Sequence, residues 1–160
     1  MTPEQVFSTA NTTALVAWLA LVLFQRRRWA TNVVVIVAVS LFAATYVVLI
    51  AGRWAGSSGG FSSLAGVAAL FSDPWLLLAG WLHYLAFDLL VGRWEAQDAA
   101  SRGLSPWLMA PCLLLTFMFG PAGLLLYMSL RSVSPLVQKT TRTATDARVV
   151  HSGSRPGRSS

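Results

Sequence analysis

The stretch Trp75–Gly92, WLLLAGWLHYLAFDLLVG, constrains this chain more than any other. A helix that crosses a bilayer needs about 20 mostly apolar residues, because the hydrocarbon core is ~30 Å thick and offers backbone N–H and C=O groups no water to pair with. The stretch has that length and that character, so a lipid-embedded helix accounts for it. It also carries His83 near its middle and Asp88 about a turn and a half further on. Ionisable groups at such depth cost roughly 2.5–3.5 kcal/mol each on insertion scales, so they usually face the interior of a bundle and often mark a functional site.

The rest of the chain agrees with a membrane setting. Of its 160 residues 55% are hydrophobic and only 11% charged, where a soluble domain carries about a quarter charged residues. The length suits one compact domain. The net charge of +6 would suggest nucleic acid in a soluble protein, but the basic residues cluster just outside apolar runs and in the C-terminal tail. That placement fits membrane topology and lipid headgroups, and no nucleic-acid partner is expected. Cys112 is the only cysteine, which excludes an intrachain disulfide and a multi-thiolate metal site. The N-terminus has Glu4 in place of a basic n-region, and its apolar run meets Arg26, Arg27 and Arg28 at once. That order predicts a retained anchor in place of a cleaved signal.

The expected fold is all-α: a four-helix transmembrane bundle over residues 1–131, with spans at about 6–24, 30–51, 74–92 and 107–130. Arg26–Trp29 forms the turn between the first two helices. GSSGGFSS at 56–63 is a loop by composition, and Phe61–Phe71 reads as a short interfacial or re-entrant segment before the third span. Asp73-Pro74 and Ser105-Pro106 are helix starts, an N-cap followed by proline at the first helical position. The polar stretch Arg93–Arg102 continues the third helix out of the membrane until Gly103, with Asp98 and Arg102 spaced to pair. Pro111 and Gly120-Pro121-Ala122-Gly123 punctuate the fourth span, and a kink is predicted there. Residues 132–160, rich in Ser, Thr and Arg, read as a disordered basic tail. With the N-terminus outside, this layout puts five Lys and Arg residues inside (Arg26, Arg27, Arg28, Arg93, Arg102) against seven outside, and leaves the orientation open.

At about 100° per residue, Trp81, Asp88 and Glu95 fall on nearly one helix face with Tyr84 beside them. His83 lies about 140° from Asp88 on the same helical wheel. The two line one cavity only if it wraps the helix or the fourth helix bends around it at Pro121. For Asp88 an ion pair with a snorkelling Arg93, Arg53 or Arg131 competes with a direct functional role, and for His83 a neutral imidazole bonded to a neighbouring helix does so. Glu95 and Asp98 read as solvated interface residues. Trp29, Trp54, Trp75, Trp94 and Trp107 sit at span ends, where an aromatic belt explains them. A di-iron site would need several histidines and carboxylates on facing helices, and no P-loop, dinucleotide glycine pattern or nucleophile elbow is present. No metal or cofactor is expected.

From Gly80 to Arg131 the pattern GWLHYLAFDLLVGRWEAQDA, a short basic turn and PCLLLTFMFGPAGLLLYMSLR resembles the abscisic-acid-deficiency-four-like family of integral membrane proteins. Its plant members are needed to make neoxanthin. His83, Asp88, Arg93-Trp94, Asp98, Pro111-Cys112 and Gly120-Pro121 occur in the expected order. The resemblance implies a part in turning violaxanthin into neoxanthin, a carotenoid epoxide becoming an allenic alcohol. The chain begins without a plastid transit peptide, so a bacterial member, multi-pass in the cell membrane and acting on a carotenoid or other isoprenoid, is expected. Epoxide opening without water needs an acid and a base, each typically worth ~10²–10⁴-fold. On that chemistry Asp88 is assigned as acid and His83 as base, with Arg93, Trp94, Asp98, Tyr84 and Trp81 as binding or supporting contacts. Two classes stay open: a cofactor-free isomerase, and a non-catalytic membrane protein that binds pigment or lipid or assists a partner enzyme. Membrane lipid is a partner in both, and both are compatible with a homo-oligomer.

Overall fold

The computed structural model describes residues 1–24 and 27–132, and every regular element among them is helical. In chain order these are α1 (Pro3–Leu23), α2 (Arg28–Arg53), a 3-10 turn (Trp54–Gly56), α3 (Leu64–Leu70), α4 (Pro74–Ser101), α5 (Pro106–Phe119) and α6 (121–132). Short-range chemistry sets their starts. Thr2 and Gln5 form a reciprocal capping box ahead of Pro3. Ser63 accepts from the Gly66 amide at 3.0 Å. Asp73 Oδ1 accepts from the Trp75 and Leu76 amides at 2.7 and 3.2 Å, with Pro74 at the first helical position as the sequence predicts. Ser105 occupies the N-cap position of α5 without a side-chain bond. Past the end of α4, Gly103 takes the left-handed backbone (φ +71°) that lets the chain turn away.

Three helices, α1, α2 and α4, are long and apolar enough to cross a membrane. Side-chain contacts give their directions. Asn11 of α1 meets Trp81 of α4, and further along both helices Trp18 and Leu21 crowd Gly92, so α1 and α4 run parallel. The helix between them runs the other way: Asn32 of α2 bonds Arg93 at one end, Tyr46 touches His83, and Arg53 lies over the Trp75 ring at the other end. Ala10, Ala14 and Ala17 put a small-residue seam on α1, which lets backbones approach where dispersion, not hydrophobic expulsion, drives association. A Cβ on Gly92 would collide with the Trp18 indole. The outward faces stay apolar, with Leu15, Leu19, Val33, Val37, Leu41 and Val48 exposed. That inversion of the soluble pattern is what a lipid-facing surface requires.

α3 is the short segment expected before the third span. Its seven residues extend only ~10 Å, Leu70 alone is buried, and Phe71 at its end lies over Gly80 of α4.

The fourth span needs correction. The sequence predicts one kinked rod over 107–130, but the chain breaks at Gly120 (φ +42°, ψ −94°) and doubles back. Gly123 of α6 lies against the Thr116 backbone of α5. Further back, Tyr127 of α6 packs with Met109 and Cys112 of α5, and its hydroxyl reaches Asp98 near the end of α4. α5, with 14 residues, is ~21 Å long, too short to cross ~30 Å of hydrocarbon. The physical reason is local. Gly120 supplies the left-handed backbone, Pro121 has no N–H with which to continue the α5 ladder, and Gly123 has no side chain to hold the two helices apart. The result is three helices long and apolar enough to span and a shorter helical hairpin in place of a fourth rod. The expected tail at 132–160 lies outside the described residues beyond Ser132, as does Arg26 of the first turn.

Gly123→Ala should therefore cost about 1–3 kcal/mol through overpacking and lower the melting temperature in detergent. The buried Cys112 thiol reports on the hairpin itself: in this variant it should react with a maleimide at temperatures where the wild-type thiol is protected and helical circular dichroism is still intact.

Candidate functional site

One face of α4 carries a row of polar and aromatic side chains, from exposed Trp81 to buried Glu95. Trp81, Tyr84, Asp88 and Glu95 follow one another along it, as the helical period predicts, and the hairpin covers only the later part. The elbow at Gly120 sits on Asp88, so closely that a Cβ there would lie 2.8 Å from the carboxylate Oδ1. On the far side of that elbow the same face is open. A groove of about 540 Å³ runs there between α1, the end of α3 and α4, lined by Pro3, Glu4, Phe7, Phe71, Pro74, Leu77, Leu78, Gly80, Trp81 and Tyr84. Its walls are apolar apart from Glu4, the Trp81 N–H and the Tyr84 hydroxyl. The indole N–H is already used, donating to Asn11 Oδ1 at 2.9 Å, and Phe7, Trp81 and Tyr84 form a run of ring contacts at 5.6 and 5.3 Å.

Tyr84 stands one helical turn before Asp88 and lies between the groove and that carboxyl, close enough for the two groups to interact. Asp88 itself is half-buried. Its Oδ2 is a buried oxygen with no hydrogen-bond partner among the described residues. The ion pairs considered from sequence do not form: Arg93 donates to Asn32 at 2.8 Å, Arg53 covers Trp75, and Arg131 pairs with Asp98 at 3.3 Å. The groove therefore ends at the Tyr84 phenol, and behind it lies a buried carboxyl oxygen that lacks a donor among the described residues.

His83 is elsewhere. Its ring is exposed on the flank that faces α2, stacked on Phe87 at 4.5 Å and tilted against Tyr46 at 5.8 Å. Asp88 faces the α5–α6 elbow. The pairing of His83 with Asp88 in one pocket is not found: the 140° between them on the wheel stands, because the hairpin meets α4 on one side only and never wraps it.

Two residues read as solvated prove to be structural. Glu95 is fully buried, and the Thr116 hydroxyl stands 3.1 and 3.0 Å from its two oxygens. A hydroxyl carries one hydrogen, so a single donor serves both oxygens, and among the described residues no cation pairs with this carboxyl. The heptad Trp81–Asp88–Glu95 was the signal for its burial; it was outweighed by a position beyond the apolar run. Asp98 pairs with Arg102 at 2.8 Å as expected, and in addition with Arg131 at 3.3 Å and with the Tyr127 hydroxyl at 2.5 Å. It is the node that ties the return helix to α4. Trp94 is engaged in the same node, edge-on to Tyr127 and under the Arg131 guanidinium, and Arg93 shares Asn32 with Gln97. Arg93, Trp94 and Asp98 thus brace the hairpin end of the bundle, whereas Trp81 and Tyr84 gather with Asp88 at the groove.

A model of the family described as ABA DEFICIENT 4-like matches residues 5–127, from the first turn of α1 to Tyr127. The chain belongs to the ABA4-like family. No curated protein and no solved structure matches it. The ABA4-like match takes in the whole Trp81–Asp98 face and both helices of the hairpin as far as Tyr127, and it agrees with the apolar helices in making this a membrane protein of that family.

Thr116→Val keeps the shape of the side chain and removes the donor from Glu95. It should destabilise the protein by about 1–3 kcal/mol, the cost of leaving a buried acceptor unsatisfied, while Thr116→Ser stays near wild type. Thermal unfolding in detergent reads the difference.

Proposed function

We propose that this ABA4-like protein takes a long apolar isoprenoid of the carotenoid kind from the bilayer into the groove between α1, α3 and α4, and presents an oxygen of that ligand to Tyr84 and Asp88. One observation carries the reading: an apolar groove between long apolar helices ends at the Tyr84 phenol, beside Asp88, whose buried Oδ2 has no hydrogen-bond partner among the described residues. Pockets of ~300–1,000 Å³ that are apolar with a few placed polar groups are the usual form of a small-molecule site. Here the polar groups are few, Glu4 toward one end and the Trp81 N–H and Tyr84 hydroxyl toward the other, which suits a ligand that is hydrocarbon along its length and oxygenated at its tips.

The family resemblance supplies a reaction of the right kind. Isomerising an epoxide to an allenic alcohol moves one proton onto the epoxide oxygen and takes one from a neighbouring carbon, so it consumes no water and needs no redox partner. Tyr84 at the groove end and Asp88 behind it would supply a donor and an acceptor for that exchange. In this assignment Tyr84 O–H serves the epoxide oxygen and Asp88 takes the carbon proton, and His83 has no part. A binding protein needs the groove alone, and the same experiment separates the two.

The protein is purified in detergent from isoprenoid-producing cells, and its bound lipids and the host pigments are chromatographed. Wild type should carry a bound isoprenoid and change the host profile. Gly80→Leu, which fills the groove beside Phe71, should lose the ligand. Asp88→Asn should keep the ligand and reduce product formation by ~10²-fold or more, as removal of a general base does, and His83→Ala should match wild type. Ligand bound with no change in the host profile would make this a carrier, and a wild-type protein that binds no isoprenoid and leaves the profile untouched overturns the proposal.

A further inference from the structure

We infer that the arginine-lined end of the bundle is its cytoplasmic face, and that its partner there is the anionic phospholipid headgroups of the inner leaflet. The inference starts from the hairpin. Because α6 returns alongside α5, Ser132 ends up at the same end of the bundle as the C-terminus of α4, the start of α5 and the turn between α1 and α2. Tyr127 and Arg131 bonded to Asp98, which Arg102 also pairs, fix that placement. A straight fourth rod would have carried Arg131 and all that follows it to the opposite end.

The charge distribution then stops being balanced. Arg27, Arg93, Arg102 and Arg131 lie at the hairpin end, and by sequence Arg26 and Arg28 belong to its turn. The other end has Arg53 and the carboxylates Glu4 and Asp73. The five basic residues after Ser132, from Lys139 to Arg158, are attached in the sequence to the arginine-lined end. Lys and Arg flanking spans are retained on the cytoplasmic side, so the N-terminus and the 56–63 loop face outward and the end of α6 faces the cytoplasm.

The same end has the make-up of a headgroup contact. Trp29 and Trp107, 74% and 88% exposed, stand there at the level where indoles favour the bilayer interface. Glu95 is buried, so Asp98 is the one accessible carboxylate among the described residues of this end, set against Arg102 and Arg131 together. An excess of guanidinium charge beside interfacial tryptophans attracts an anionic leaflet within a Debye length.

Single cysteines at Ser58 and Ser132, in a Cys112→Ala background, are reacted with a membrane-impermeant maleimide in intact bacterial cells and after lysis. Ser58→Cys should label in intact cells and Ser132→Cys only after lysis. Labelling of Ser132→Cys in intact cells, or protection of Ser58→Cys until lysis, overturns the orientation. Wild type in nanodiscs of phosphatidylglycerol and phosphatidylcholine should melt several degrees above wild type in phosphatidylcholine alone. High salt should erase that difference and Arg27→Gln should reduce it. Equal melting in the two bilayers, or the same rise with inorganic phosphate added to phosphatidylcholine discs, overturns the headgroup assignment.

Discussion

A chain that reverses inside a membrane has to bury its turn against protein, because hydrocarbon offers nothing to the backbone groups that a helix break sets free. The reversal at Gly120 meets that condition. Its amide donates to Thr116 C=O at 2.8 Å, and its own carbonyl accepts from Gly123 and Leu124 at 3.1 and 3.2 Å. The open side of the turn is pressed on Asp88. Most of what is particular to this structure follows. The hairpin is short because its elbow stops at Asp88, the groove exists because α4 is left uncovered beyond that point, and Glu95 is dry because the two half-helices close over it.

Much of this was written in the sequence at the level of local chemistry. Asp73-Pro74, Ser105-Pro106 and Gly103 announce helix boundaries because each supplies a donor, an acceptor or a backbone angle that only a terminus uses. The lipid-facing runs were plain because nothing else tolerates so many adjacent apolar side chains. The hairpin was hidden for the converse reason. Residues 107–130 have the length and hydropathy of a span, and glycine with proline in a membrane helix signals a bend without saying how far the bend goes. What decides between a kink and a full return is the fit of Gly123 on Thr116 and of Tyr127 beside Cys112, contacts between helices that no single-helix pattern contains.

The candidate site divides in the same way. Helical periodicity put Trp81, Tyr84, Asp88 and Glu95 on one face and kept His83 off it, and the structure agrees on both counts. A shared pocket for His83 and Asp88 requires a cavity that wraps α4 or a fourth helix bent around it, and the hairpin meets α4 on the Asp88 side only. Glu95 goes the other way: its polar neighbourhood suggests a solvated group, but in a helix this long the face a residue occupies matters more than the composition around it. The family match reaches across the elbow, which sets α4 and the hairpin within one inherited unit.

Besides Thr116 on Glu95, the hairpin is held to α4 at both of its ends, its tip on Asp88 and its base at Asp98. Ten residues of continuous helix separate them, ~15 Å of stiff rod. Two stiff bodies joined at both ends move as one, so the hairpin keeps a single angle to α4.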